Sequence, residues 1–198
     1  METQSLKEIA WEADYRSSSV KDNGEPVDIL HDFYIPALER SVKYDRVAGY
    51  FRSTSLAAAS QGFTSFLKND GHMRLIVGAD MALEDVAAIL EGNSQRLSDK
   101  LMQELDDEDA WTDEVKNGVA LLSEMVAKGR LEVKVGFRIN SNTGKPLSLD
   151  DNEDGYVHEK WFIMTDAEGN SISCGGSLNE SKTALTINAE NIHVTCAW

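Results

Sequence analysis

SVKYDRVAGYFRSTSLAAASQGFTSFLKNDGHMRLIV, Ser41 to Val77, is the stretch whose reading decides the fold. Val47, Gly49 and Phe51 alternate with Ala48 and Tyr50, apolar on both sides, as in a strand buried on both faces. Ser53 or Thr54 can cap a helix whose apolar face is Leu56, Ala59, Phe63, Phe66 and Leu67. Asn69-Asp70-Gly71 stops that helix, and Met73 to Val77 reads as a second buried strand. Strand, helix and strand form a β-α-β unit, and such units favour parallel strands.

Upstream, Leu30, Phe33, Ala37 and Leu38 mark one helical face, with Pro36 predicting a kink. Residues 1–27 are polar and weakly patterned, an expected arm or short leading helix ahead of a domain over 28–198. Downstream, a short helix is expected over Glu84–Leu90, and residues 95–129 carry a polar, acidic helical pattern. Its apolar positions are Leu97, Leu101 and Leu105, then Val115, Val119, Leu122, Met125 and Val126, with Gly129 as the stop. Leu131 to Ile139 alternates as a strand, 140–155 is a loop, and Ile192 to Ala197 is a last strand. The pattern as a whole predicts an α/β domain with a mixed sheet and helices on its faces.

Composition narrows the function. A net charge of −15 opposes nucleic-acid binding on bulk electrostatics, because phosphate contacts come from Lys and Arg. The excess is concentrated in Glu104–Glu114 and Asp150–Asp154, which lack calcium-loop punctuation and read as solvated surface. The acidic region 95–115 is open to three readings: a lid, a dimer surface, or an inhibitory cover. No apolar run approaches the roughly 20 residues of a membrane span, and the N-terminus lacks signal-peptide character. Cys174 and Cys196 sit in apolar runs without metal-ligand spacing, so reduced core thiols and a cytoplasmic location are expected.

The chemistry is concentrated in YVHEKWFIMTDAEGNSISCGGSLNES, Tyr156 to Ser181. Strand alternation from Val157 to Met164 puts His158, Lys160 and Phe162 on one face, and Glu159, Trp161 and Ile163 on the other. Asp166 to Asn170 supplies a turn, with Gly169 available for a positive φ. The return strand runs into Gly175-Gly176-Ser177, where glycines let backbone amides approach an anion, and Ser177 and Asn179 add donors. One imidazole, one ammonium, one hydroxyl and one amide suit a phosphate or phosphodiester better than a metal ion. Taken singly, His-x-Lys and Gly-Gly-Ser are common structural fragments; their order on two strands joined by one turn is what singles them out.

That order, His158-x-Lys160, strand, turn, then Gly176-Ser177-x-Asn179, is similar to the His-Lys-Asp signature of the phospholipase D superfamily. Glu190, eleven residues after Asn179, falls where nucleases of that superfamily carry an acidic residue. YDRVAGYF, the helix after it and MRLIVGAD resemble the first β-α-β unit of phospholipase D-like domains in bacterial helicase, restriction and defence proteins. The resemblance covers most of 28–198. The family aspartate normally follows the lysine by five residues, where this chain has Thr165 and then Asp166, and the hairpin is longer than in the shortest members.

The resemblance implies an α-β-α sandwich on a mixed, largely parallel sheet, and a phosphodiesterase or nuclease needing neither metal nor cofactor. His158 would attack phosphorus to form a phosphohistidine, while Lys160, Asn179 and Ser177 hold the non-bridging oxygens. Glu190 would orient the imidazole, and Asp166 and Gly176 would support the site. A second histidine is needed for the leaving oxygen. His31, His72 and His193 lie outside any second motif, so a two-fold homodimer with a composite site is expected. DNA is the expected substrate, with no membrane partner. The negative charge and the strand-like final TCAW fit a fragment whose missing part, such as a helicase motor, supplies DNA affinity. The rival is a non-catalytic dimerisation or docking module, using Arg46, Arg52, Arg74, Lys134 and Arg138 as binding residues.

Overall fold

The computed structural model describes residues 4–49, 54–78, 125, 128–136, 139–145, 157–179 and 182–198. A seven-stranded mixed sheet organises them, in the order β1-β7-β6-β5-β2-β3-β4. The strands are β1 (Asp14–Arg16), β2 (Lys43–Ala48), β3 (His72–Gly78), β4 (Leu131–Gly136), β5 (Lys160–Thr165), β6 (Ser171–Gly176) and β7 (Asn191–Ala197). β2, β3 and β4 run parallel, as the β-α-β reading requires; the other pairings are antiparallel. The expected helices Glu84–Leu90 and most of 95–129, the acidic run 104–114, and Arg52 and Arg138 lie outside the described residues. Gly129 takes the φ of +63° expected of a helix stop.

One face of the sheet carries the core. Tyr44, Arg46 and Ala48 of β2 share it with Phe162 and Met164 of β5 and Ile172 and Cys174 of β6, all buried. Against it packs a π turn, Leu30–Tyr34, that runs into α1 (Ile35–Arg40). Pro36 accounts for the change of pitch. Its ring lacks an N–H and would crowd the carbonyl four residues back. The preceding turn widens, so that the Ile35 N–H reaches the Leu30 carbonyl instead. Leu30, Phe33, Ala37 and Leu38, the predicted apolar face, are all buried.

The helix predicted after β2 is two pieces, α2 (Thr54–Ala58) and α3 (Ser60–Lys68). Leu56, Ala59, Phe63 and Phe66 are buried, and Leu67 packs against the core. Asp70 takes the left-handed φ of +63° that ends α3. Tyr34, Tyr44, Phe63 and Phe162 form an edge-to-face cluster with centroids 5.8–6.4 Å apart, and the Tyr34 and Tyr44 hydroxyls hydrogen-bond at 2.9 Å. Each such ring pair adds about 0.5–1.5 kcal/mol beyond its area burial.

The N-terminal segment departs from the sequence reading. Its expected leading helix is a short 3-10 turn, Leu6–Glu8, followed by β1 on the outer edge of β7. Leu6 and Tyr15 are core residues, and the Trp11 and Tyr15 rings lie 5.4 and 5.0 Å from that of Phe33. Isolated anchors of this kind leave no periodic signature. Cys174 is buried, as expected of a core thiol, but Cys196 is exposed. β1 pairs with β7 from Asn191 to His193, and Cys196 lies beyond that pairing.

Candidate active site

The hairpin forms as its sequence predicts. β5 and β6 pair from Trp161–Gly175 to Thr165–Ser171, and the 166–170 turn closes with Gly169 at φ +88°. His158 stands differently from the expectation. β5 begins at Lys160, whose ladder partner Ala48 is the last residue of β2, so His158 lies in the lead-in and is exposed. Lys160 and Phe162 do share the core-side face, as alternation requires.

The sheet order explains that lead-in. β4 is at one edge, and residues 157–160 lie over the carboxyl ends of β4, β3 and β2 at the entrance to β5. Gly136, Gly78 and Gly49 stand at those three ends. A Cβ on Gly136 would meet Val157 Cγ2 at 2.8 Å, and one on Gly78 would meet the Val157 carbonyl at 2.5 Å. On Gly49 it would meet His158 Cα at 3.0 Å and Lys160 Nζ at 3.1 Å. Three absent side chains thus form the floor on which residues 157–160 lie, where parallel strands commonly present their binding groups.

Lys160 donates from Nζ to the His158 carbonyl at 2.7 Å. Burial, and then the nearby Arg46 charge, lower its ammonium pKa, while Glu190 opposes them. On the return side, Gly176 closes directly on β7: a Cβ there would sit 2.1 Å from the Asn191 carbonyl. Ser177 Oγ donates to Glu190 Oε2 and accepts the Asn191 N–H at 3.1 Å. The other Glu190 oxygen accepts from Asn188 Nδ2 at 3.2 Å. Asn179 Oδ1 is buried without a hydrogen-bond partner among the described residues, a carboxamide whose oxygen awaits a donor.

Asp166 is not part of this group. It lies at the far end of β5, 2% exposed, and its carboxylate accepts from Ser5 Oγ at 2.8 Å, Leu6 N at 2.9 Å and Asn170 N at 2.9 Å. Burial alone would raise its pKa, but those hydrogen bonds outweigh it and hold the carboxyl below its ordinary value. It ties the N-terminal turn to the hairpin. Of the other histidines, His31 is exposed beside Asp28, His193 is exposed on β7, and His72 opens β3.

Arg46 is the residue the sequence reading undervalued. Named there only among the binding residues of a docking module, it is 2% exposed, and its Nη2 donates to the Leu178 carbonyl between Ser177 and Asn179. Its guanidinium carbon lies 5.0 Å from the Phe162 ring centroid. The signal available in the sequence was its period-two placement between Tyr44 and Ala48, on the core face.

The described geometry is therefore a polar group at one end of a mixed sheet, with an ammonium, a hydroxyl bound to a carboxylate and a carboxamide beside a segment that carries an exposed histidine. No family model matches the chain, and no curated protein matches it. Among solved structures it is similar to NucT from Helicobacter pylori, with a TM-score of 0.44 and 11% identity over 83% of this chain and 76% of that one. It is also similar to Nuc from Salmonella typhimurium, a phospholipase D family member, at 0.43 and 13%, covering 91% and 79%. Polyphosphate kinase from Porphyromonas gingivalis matches at 0.41 and 10%, over 83% of this chain and 21% of its own. Among the described residues no helix is long and apolar enough to cross a membrane.

Proposed function

We propose that the chain is a phosphodiester hydrolase of the phospholipase D type, acting on DNA through a phosphohistidine without a metal ion. The observation that best supports this is that Lys160, the Ser177–Glu190 pair and Asn179 all stand at the one end of the β5–β6 hairpin where His158 emerges, with the Glu190 charge acting on the Lys160 ammonium. In this reading a neutral His158 nitrogen attacks phosphorus and the bond to the leaving oxygen breaks. A second histidine protonates that oxygen, then takes a proton from the water that releases the phosphate. The Lys160 ammonium and the Asn179 carboxamide N–H groups stabilise the charge on the non-bridging oxygens, and Ser177, whose proton goes to Glu190 in the free site, joins them by turning that proton toward the phosphate. Glu190, which anchors Ser177, is the carboxylate available to orient the imidazole, and Asp166 and Gly176 support the hairpin from outside the reacting group.

The second histidine comes from a second copy. A two-fold homodimer facing His158 to His158 supplies both roles from one motif, with isologous contacts. The test uses bis(p-nitrophenyl) phosphate, single-stranded DNA and duplex DNA, with chelator present. Turnover that persists in chelator and disappears in His158→Ala is expected. No wild-type turnover on any of the three would favour a docking module instead. Adding excess His158→Ala chain to wild type should suppress turnover through mixed dimers; undiminished activity would sink the composite site.

A further inference from the structure

A guanidinium with 2% exposure on the core face of a central strand is costly unless it is well engaged. Arg46 occupies that position in β2. It lies opposite Phe162 of β5 and two residues before Ala48, the ladder partner of Lys160. It therefore shares a face with Lys160 while bonding to the main chain of the loop that carries Ser177 and Asn179.

We propose that Arg46 is a positioning residue for the site described above, an inference that rests on the proposed phosphodiester chemistry. By binding the Leu178 carbonyl, it fixes where Ser177 and Asn179 stand relative to Lys160. The peptide is planar, so holding that carbonyl also sets the Asn179 N–H on the opposite edge of the same plane. Leu178 itself is buried, so the loop is held from both its side chain and its main chain. A displacement of about 1 Å in such a loop is enough to cost roughly a hundredfold in rate.

Arg46 acts on Lys160 as well. The groups around that ammonium are Arg46 from β2, Glu190 ahead of β7 and the His158 carbonyl in its own segment, and Cys174 of β6, opposite Phe162, shares its sheet face. Burial holds the Cys174 thiol neutral by pushing its pKa well up. Arg46 is thus the facing cation that disfavours protonated Lys160, with Glu190 opposing it.

The decisive comparison is wild type against Arg46→Met, which keeps length without charge or donors, and Arg46→Lys, which keeps charge without the fork. Turnover of bis(p-nitrophenyl) phosphate and the titration of Lys160, followed by NMR of its 13Cε, are read on each. Arg46→Met is expected to lower kcat about a hundredfold with little change in KM. It should also move the Lys160 titration to higher pH. Arg46→Lys should restore the titration but only part of kcat. A folded Arg46→Met with wild-type kcat, or with an unmoved Lys160 titration, overturns the proposal. If Arg46→Met does not fold, Arg46→Lys decides: full wild-type kcat refutes the positioning role. If the wild type turns over no phosphodiester, the parent reading fails on kinetics. The Lys160 titration, together with the amide shifts of Ser177–Asn179, then judges Arg46 separately: shifts unchanged in either variant overturn it.

Discussion

The Ser177 hydroxyl donates to the Glu190 carboxylate across thirteen residues and accepts the Asn191 N–H on the same oxygen. A side chain at the end of β6 is thereby oriented by the start of β7. Because the two residues act as one unit, their substitutions should not add. Ser177→Ala and Glu190→Gln are each expected to lower kcat/KM by about a hundredfold, and the double variant little further. A double variant that multiplies the two losses would show that they act independently.

Gly49→Ala tests the glycine floor. The new methyl would contact His158 Cα at 3.0 Å and Lys160 Nζ at 3.1 Å, so the lead-in must move. Overpacking of this kind costs about 1–3 kcal/mol. Activity should fall more than the urea midpoint does. Equal activity in the variant would show that residues 157–160 tolerate displacement.

Gly176→Ala should act mainly on stability. Its Cβ would overlap the Asn191 carbonyl at 2.1 Å, which forces β6 and β7 apart where Ser177 leaves the sheet. A loss of about 3 kcal/mol is expected in chemical unfolding; a midpoint equal to wild type would contradict this packing.

Asp166 gives a pH dependence with a definite sign. Its folded pKa is lowered, so its stabilising effect is present above the ordinary carboxylate range and is lost as pH falls through the lowered value. Asp166→Asn should therefore be less stable than wild type at neutral pH, with the difference shrinking on acidification through that window. Urea midpoints measured at a series of pH values provide the check, and a difference that is constant or grows toward acid would refute it.

The two thiols should separate cleanly. Cys174 is buried with its pKa pushed well up, whereas Cys196 is exposed. One equivalent of a thiol reagent should react with the native chain, at Cys196, and a second only after unfolding. Two native equivalents would mean that the β6 core opens readily.

Periodicity by itself determined the β-α-β unit, the hairpin with its turn glycine, and the apolar faces of α1 and of the helix pair after β2, because each is a local repeat that burial enforces. The same local logic paired Lys160 with Phe162 and put Ser177 and Asn179 at the strand end. Tertiary structure alone decided the rest. The three-residue edge strand holding Tyr15 has too few positions to show a period. His158 leaves the ladder because β2 ends at Ala48, a fact about the neighbouring strand and not about the hairpin. Arg46 meets Leu178 across 132 residues. Contacts at that separation depend on which strands the sheet brings side by side, and strand order is set by packing the whole core.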